Sequence, residues 1–151
     1  MSERKRIDGI VEIGAKKVVE RKATARGELI LKHDTIQAIR QGLIPKGDVI
    51  EASTIAAIQA VKDTPRIIPH CHPIPLEGTT VEWMYIEDSL VCQVSVSAHY
   101  KTGIEMEAMT GVMAGLLCAF DMVKSIEKDE FGQYPVAKIQ QVHVVEKFKG
   151  N

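Results

Sequence analysis

The segment that opens at Thr102 or Gly103 and runs to about Glu127 reads as one long helix. A helix of that length needs a surface on which to bury its apolar side, so the rest of the chain has to supply one. Advancing about 100° per residue, Met106, Met109, Met113, Leu116, Phe120 and Val123 form an apolar stripe expected to pack on a sheet. Ala108, Gly111, Gly115 and Cys118 form a second arc of small residues that another backbone can approach closely. Packing within the chain and contact with a second subunit account for that arc equally well. Glu107, Thr110, Asp121, Lys124 and Lys128 share a third arc, within roughly one quadrant of the wheel. This edge is either a solvated stripe, with an Asp121–Lys124 pair worth about 0.2–0.5 kcal/mol, or one side of a site.

The remaining elements fit around that helix. Lys17 to Leu31 alternates as a strand does, and His33 to Arg40 places Ile36 and Ile39 at helical spacing. Asp48 can cap a helix with Val49, Ala52, Ile55 and Ala56 on one stripe, expected to end at about Lys62 ahead of Pro65. Pro69, Pro73 and Pro75 exclude helix and central strand from Ile67 to Leu76 and leave a stiff loop. Thr79 to Ile86 and Leu90 to Ala98 alternate about Glu87-Asp88-Ser89 as a β-hairpin, and Val136 to Phe148 reads as a last strand. An α+β fold satisfies this order most simply: a ferredoxin-like antiparallel sheet with helices packed on one face.

With 151 residues, 45% of them hydrophobic, the chain is expected to form one domain around one core. The charged start is expected to be disordered over roughly ten residues. Its 19 basic and 20 acidic residues leave a net charge of -1, which gives no global field for nucleic acid or a membrane surface. Any anion site must therefore be a local cluster of Lys and Arg. No signal-like apolar stretch follows MSERKRIDGI, and the uncharged run Ala108 to Phe120 is shorter than the ~20 residues of a span. A soluble cytoplasmic protein is the expectation. Cys71, Cys92 and Cys118 are an odd set without CxxC spacing and read as reduced thiols.

Three segments carry candidate chemistry. In Pro69-His70-Cys71-His72-Pro73, zinc is the first consideration, but adjacent residues of an extended segment point in opposite directions. No second Cys/His pair completes a tetrahedron, so no metal is expected. A nucleophilic Cys71 lacks a base that the sequence can place beside it. The preferred reading is that His72 and backbone N–H groups face a planar, hydrogen-bonding ligand. Lys46-Gly47-Asp48 precedes a helix start, where an anion is favoured, although a simple cap also explains it. Tyr100 to Glu107 gathers Lys101, Thr102, Glu105 and Glu107 about the start of the long helix, and the helix dipole accounts for one of the two carboxylates. No P-loop, GxGxxG or RNA-binding aromatic signature is present.

Taken together, KGDV at Lys46, PHCHP at Pro69, KTGIEMEAMT at Lys101 and DMVK at Asp121 resemble the signature of the MoaC family of cyclic pyranopterin monophosphate synthases, from about Ile10 to the last strand. The resemblance implies a ferredoxin-like subunit in a homohexamer, a trimer of dimers, with active sites at a subunit interface. It implies a lyase of molybdenum-cofactor biosynthesis that takes (8S)-3′,8-cyclo-7,8-dihydroguanosine 5′-triphosphate to cyclic pyranopterin monophosphate and diphosphate. No cofactor is implied beyond magnesium that can accompany the phosphates. By position, the family's essential lysines fall on Lys46 and Lys124, and its catalytic aspartate on Asp121. Its substrate-contacting residues fall on His72 with its neighbours His70 and Cys71, on Met106 and Glu107, and on Arg21 and Lys62. Lys101, Thr102 and Thr110 lie within the matching motifs. His70 stands where other members carry an apolar residue, and a backbone contact survives that change.

A triphosphate requires a basic pocket, which Lys46, Lys62, Lys124 and Arg21 can supply. Clustering and partial burial are expected to leave one lysine neutral enough to act as a base. Lys46 and Lys124 then share the acid and base roles, Asp121 orients Lys124, and Glu107 and His72 hold the guanine-derived ring. The competing reading is a non-catalytic ferredoxin-like module that binds a nucleotide and regulates a partner. RNA binding is disfavoured by the charge balance and the few aromatics. The small-residue arc and the apolar hairpin further suggest a homo-oligomer.

Overall fold

Along the first strand, β1 (Val19–Ile30), alternate residues from Val19 through Ala23, Ala25 and Leu29 are buried, while those between them are partly or fully exposed. Burial with a period of two means that one face of the sheet is covered and the other is open. The computed structural model describes residues 2–151. After β1 come α1 (His33–Arg40), α2 (Val49–Ile67), β2 (Gly78–Ile86), β3 (Ser89–Tyr100), α3 (Glu105–Glu127) and β4 (Lys138–Lys149). The strands form one antiparallel sheet in the order β2-β3-β1-β4, with β1 paired to both β3 and β4. This is the ferredoxin-like arrangement, with the helices on one face.

α2 runs five residues past its expected end, and Pro65 lies inside it. Proline cannot donate to the carbonyl four residues back. Here the Thr64 hydroxyl lies 3.1 Å from the Val61 carbonyl and 3.0 Å from that of Ala60, so the acceptor left by Pro65 is satisfied. α3 begins at Glu105 rather than at Thr102 or Gly103, and β4 at Lys138 rather than Val136.

The expected core stripe of α3 is also rotated. Ala108, Val112, Leu116, Ala119 and Val123 are fully buried, whereas Met106 and Met113 are 41% and 53% exposed. The glycines explain the rotation. A Cβ on Gly111 would lie 2.7 Å from Val61 Cγ2 of α2, and one on Gly115 would lie 3.3 Å from Ala57 Cβ and from the Trp83 ring. The small-residue arc is thus used within the chain, to let α2 and the sheet approach. Met106, Met113 and Leu117 are left facing outward. By length and composition α3 could cross a membrane, but in this fold it is the central helix of the core.

Candidate active site

Lys46 sits in the turn between α1 and α2, where Gly47 at φ +118° permits a reversal and Asp48 caps α2 by accepting from the Glu51 N–H at 2.9 Å. The helix start is therefore occupied by its own cap, and Lys46 is free to reach α3. Its Nζ lies 3.0 Å from Asp121 Oδ2 and 3.2 Å from the Asp121 carbonyl, while Lys124 Nζ lies 2.8 Å from Oδ1. All three side chains are about half exposed. Hydrogen bonds from Lys124 and then Lys46, reinforced by their charges, pull the Asp121 carboxyl down to about 2. The same contact raises Lys124. The expectation that crowding leaves one lysine neutral named neither residue, and at Lys124 the contact acts the other way. The carboxylate lies between the two cations, and their exposure keeps desolvation small, so Lys124 rests as an ammonium.

A second cluster surrounds a cavity of about 380 Å³. His70, Cys71 and His72 enter it from the α2–β2 loop, Thr102 from the β3–α3 connection, and Met106 and Glu107 from the start of α3. Glu107 is 3% exposed; burial, and then the charge of Glu105, raise its carboxyl above the usual range. Burial and the Glu107 charge also raise the Cys71 thiol, which keeps it protonated and a poor nucleophile. Arg21 does not line this cavity. It is buried under the start of α3, its Nε 3.4 Å from the Tyr100 carbonyl, and its charge helps to ionise Glu105. Burial is the largest single influence and opposes that ionisation, but Lys147, 2.6 Å from Glu105 Oε1, the backbone N–H bond to the carboxylate and the Arg21 charge together lower the Glu105 carboxyl. Lys101 borders an adjoining cavity of about 370 Å³ that it shares with His72. Thr110 is buried one turn beyond Met106 on α3, and Lys62 is exposed near the end of α2, in neither cluster. A larger cavity of about 500 Å³ lies on the open sheet face among Lys22, Thr24, Ser95 and Ser97 and contains none of the expected site residues.

One wall of the second cluster is missing from the sequence reading. Val11, Glu12, Ile13 and Lys16 border the cavity, and His72 Nε2 lies 2.7 Å from the Val11 carbonyl. The available signal was weak: the apolar residues Ile10, Val11 and Ile13 in an otherwise charged, elementless stretch.

The MoaC family model matches residues 10–150, a span that takes in this wall and both clusters. The chain belongs to the MoaC family. It is 53% identical over 140 residues to a Pyrococcus horikoshii protein named "Probable cyclic pyranopterin monophosphate synthase", covering 93% of this chain and 88% of the relative. A Thermococcus kodakarensis protein of the same name is 52% identical over 141 residues, 93% of this chain and 90% of its own. A Methanothermobacter thermautotrophicus protein named "Probable cyclic pyranopterin monophosphate synthase accessory protein" is 50% identical over 140 residues, 93% and 88% of the two chains.

In this MoaC-family chain the two clusters do not meet. Glu107 and Asp121 share an edge of α3 but are fourteen residues apart, about 21 Å at 1.5 Å per residue. The structure brings Lys46, Asp121 and Lys124 together, and separately His70, Cys71, His72, Thr102, Met106 and Glu107. It does not join the two sets within one subunit.

Proposed function

We propose that this chain is a cyclic pyranopterin monophosphate synthase, a lyase that rearranges (8S)-3′,8-cyclo-7,8-dihydroguanosine 5′-triphosphate and releases diphosphate in molybdenum-cofactor biosynthesis. The observation that carries this reading, in a chain of this family, is the Lys46–Asp121–Lys124 cluster. Cyclic phosphate formation needs a sugar hydroxyl to lose its proton and attack the α-phosphate, and ring opening and reclosure need further proton transfers. Two lysines on one carboxylate suit that work. They attract phosphate oxygens, and Asp121 holds Lys124 protonated at rest, so Lys124 begins as the acid and Lys46 is its partner in proton transfer. Glu107 and His72 grip the guanine-derived ring beside His70, Cys71, Met106 and Thr102. Lys101 borders that grip, Arg21 supports it from beneath the start of α3 through its charge on Glu105, and Lys62 and Thr110 are secondary contacts.

Groups that protonate a ring must lie next to the groups that hold it, and a separation of about 21 Å within one chain forbids this. A shared site removes the conflict. In this reading α3 packs antiparallel against α3 of a second copy about an axis near Ala114, midway between Glu107 and Asp121. Each cluster then faces its counterpart on the partner, and the exposed side chains of Met106, Met113 and Leu117 are covered. The dimers assemble in threes as a homohexamer in the cytoplasm. Among the described residues no three His, Cys, Asp or Glu side chains converge as a metal site, so magnesium, where used, enters on the phosphate oxygens.

The test supplies enzymatically made cyclised dihydro-GTP to the purified protein and measures pyranopterin and diphosphate in equal amounts. Tight binding without turnover would replace this reading with the regulatory nucleotide-binding module.

A further inference from the structure

The segment from Ile10 to Lys16 is pinned as a strap. Its Val11 carbonyl meets His72 Nε2 at 2.7 Å, and its Gly14 carbonyl meets Lys101 Nζ at 3.4 Å. Between and beyond these points it is folded on itself, with the Gly14 N–H donating to Glu12 Oε1 at 2.8 Å and the Lys16 N–H to the Ile13 carbonyl at 3.0 Å. One tether, His72, belongs to the ring-binding cluster and the other, Lys101, borders the adjoining cavity, and the strap is a wall of both cavities.

A carbonyl oxygen only accepts, so in this contact the proton sits on Nε2 of His72. The neutral imidazole then carries its lone pair on Nδ1, and among the described residues Nδ1 has no hydrogen-bond partner. We propose that the strap is a positioning element for the ring-binding histidine: the Val11 carbonyl holds His72 as the Nε2–H tautomer and leaves Nδ1 as an acceptor for an N–H group of a flat heterocyclic ligand. The inference rests on the assignment of His72 to the ring in the proposed function. A histidine that binds a ligand through one nitrogen has its tautomer and ring angle set by what the other nitrogen bonds. Pro69 and Pro73 stiffen the loop that carries His72, and the strap's carbonyl constrains the rotation of its ring. A guanine-derived ring offers N–H donors along its edge, whereas an analogue with acceptors there would meet the Nδ1 lone pair and be refused.

The test begins with turnover of the cyclised dihydro-GTP by the full chain. Its absence overturns the functional reading on which the strap's role rests. The full chain labelled with 15N-histidine is then measured by long-range proton–nitrogen correlation, with His72 assigned by its loss in His72→Gln. The expected result is an Nε2–H His72 in the ligand-free protein. Normal turnover with an Nδ1–H His72 overturns the positioning role alone, and this needs no variant that might fold poorly. In a chain lacking residues 2–14, His72 should exchange between tautomers and KM should rise on the order of tenfold, with kcat changed much less. A folded deletion variant with unchanged tautomer or unchanged KM also overturns it.

Discussion

Two inactive variants of this chain should make an active enzyme when they share an oligomer. Asp121→Asn keeps the size of the side chain but removes the anion held 3.0 and 2.8 Å from Lys46 and Lys124. Glu107→Gln changes the buried carboxyl of the other cluster. Each variant alone damages every site and should be close to background in diphosphate release. On the shared-site reading, the separation of about 21 Å along α3 is bridged by taking Asp121 from one chain and Glu107 from another. After co-assembly of equal amounts, about half of the chains offer an intact Asp121 and about half of their neighbours an intact Glu107. About one quarter of the sites is then wild type, whatever the number of subunits in the ring. The assay is steady-state diphosphate release from oligomers purified through two different tags after co-expression, corrected for composition. Mixing Asp121→Asn with Lys124→Ala is the control, because both lesions fall in the same half-site and no intact pair can form. Recovery near one quarter in the first mixture and none in the second is the expected outcome. Background activity in both mixtures would refute the shared site and put catalysis within one subunit.

The other expectations are these. Cys71→Ser should keep most of its activity and His72→Ala lose most of it, since the thiol is held protonated by burial and Glu107; a folded but inactive Cys71→Ser protein contradicts this. The Ser53 hydroxyl is buried without a partner, so Ser53→Ala should stabilise the fold by about 0.5–1.5 kcal/mol in urea unfolding, and a loss of stability would show that the hydroxyl is satisfied. The buried Glu127 carboxylate accepts from the Lys32 N–H at 3.1 Å and from the Thr35 hydroxyl, at the start of a helix with no side-chain cap of its own. Glu127→Ala should therefore cost about 2–4 kcal/mol, and a cost under about 1 kcal/mol would sink that account. The Asp121 carboxyl, ordinarily at 3.8, should titrate at about 2 by carbon NMR. A depressed carboxyl contributes stability above its unfolded value, and that contribution disappears as pH falls through the folded one; a midpoint at the ordinary value contradicts the clamp.

The sequence revealed what depends on local pattern. Alternation placed the strands, the spacing of Ile36 and Ile39 placed α1, and the prolines about His70 marked the stiff loop. The errors have specific physical causes. Pro65 looked like a stop because the rule counts the lost N–H and does not see the neighbouring Thr64 hydroxyl that satisfies the abandoned carbonyl. Which lysine rests protonated was not legible because the position of Asp121, bonded to both cations, is a tertiary fact. The strap was passed over because it has no periodicity; its order comes from carbonyl contacts to His72 and Lys101 far along the chain.

The central helix shows why the site was half legible. A helical wheel keeps the angle of each residue and discards its rise, so Glu107 and Asp121 appear as neighbours on one edge although three to four turns separate them. The same projection leaves Gly111 and Gly115 ambiguous, because a small residue permits an approach without naming what approaches. Once α2 and the sheet occupy that arc, the apolar side chains left uncovered, Met106, Met113 and Leu117, lie beside the edge that joins the two clusters. On the shared-site reading this placement has a consequence. The contact that removes these side chains from water is the contact that brings Lys46, Asp121 and Lys124 to the partner's ring-binding pocket, so assembly and activity should be lost together. A charged substitution at Leu117, 63% exposed in one subunit, should leave the monomer fold intact while abolishing both the oligomer in light scattering and diphosphate release. Full activity from a monomeric Leu117→Lys protein would separate the two and remove the reason for the shared site.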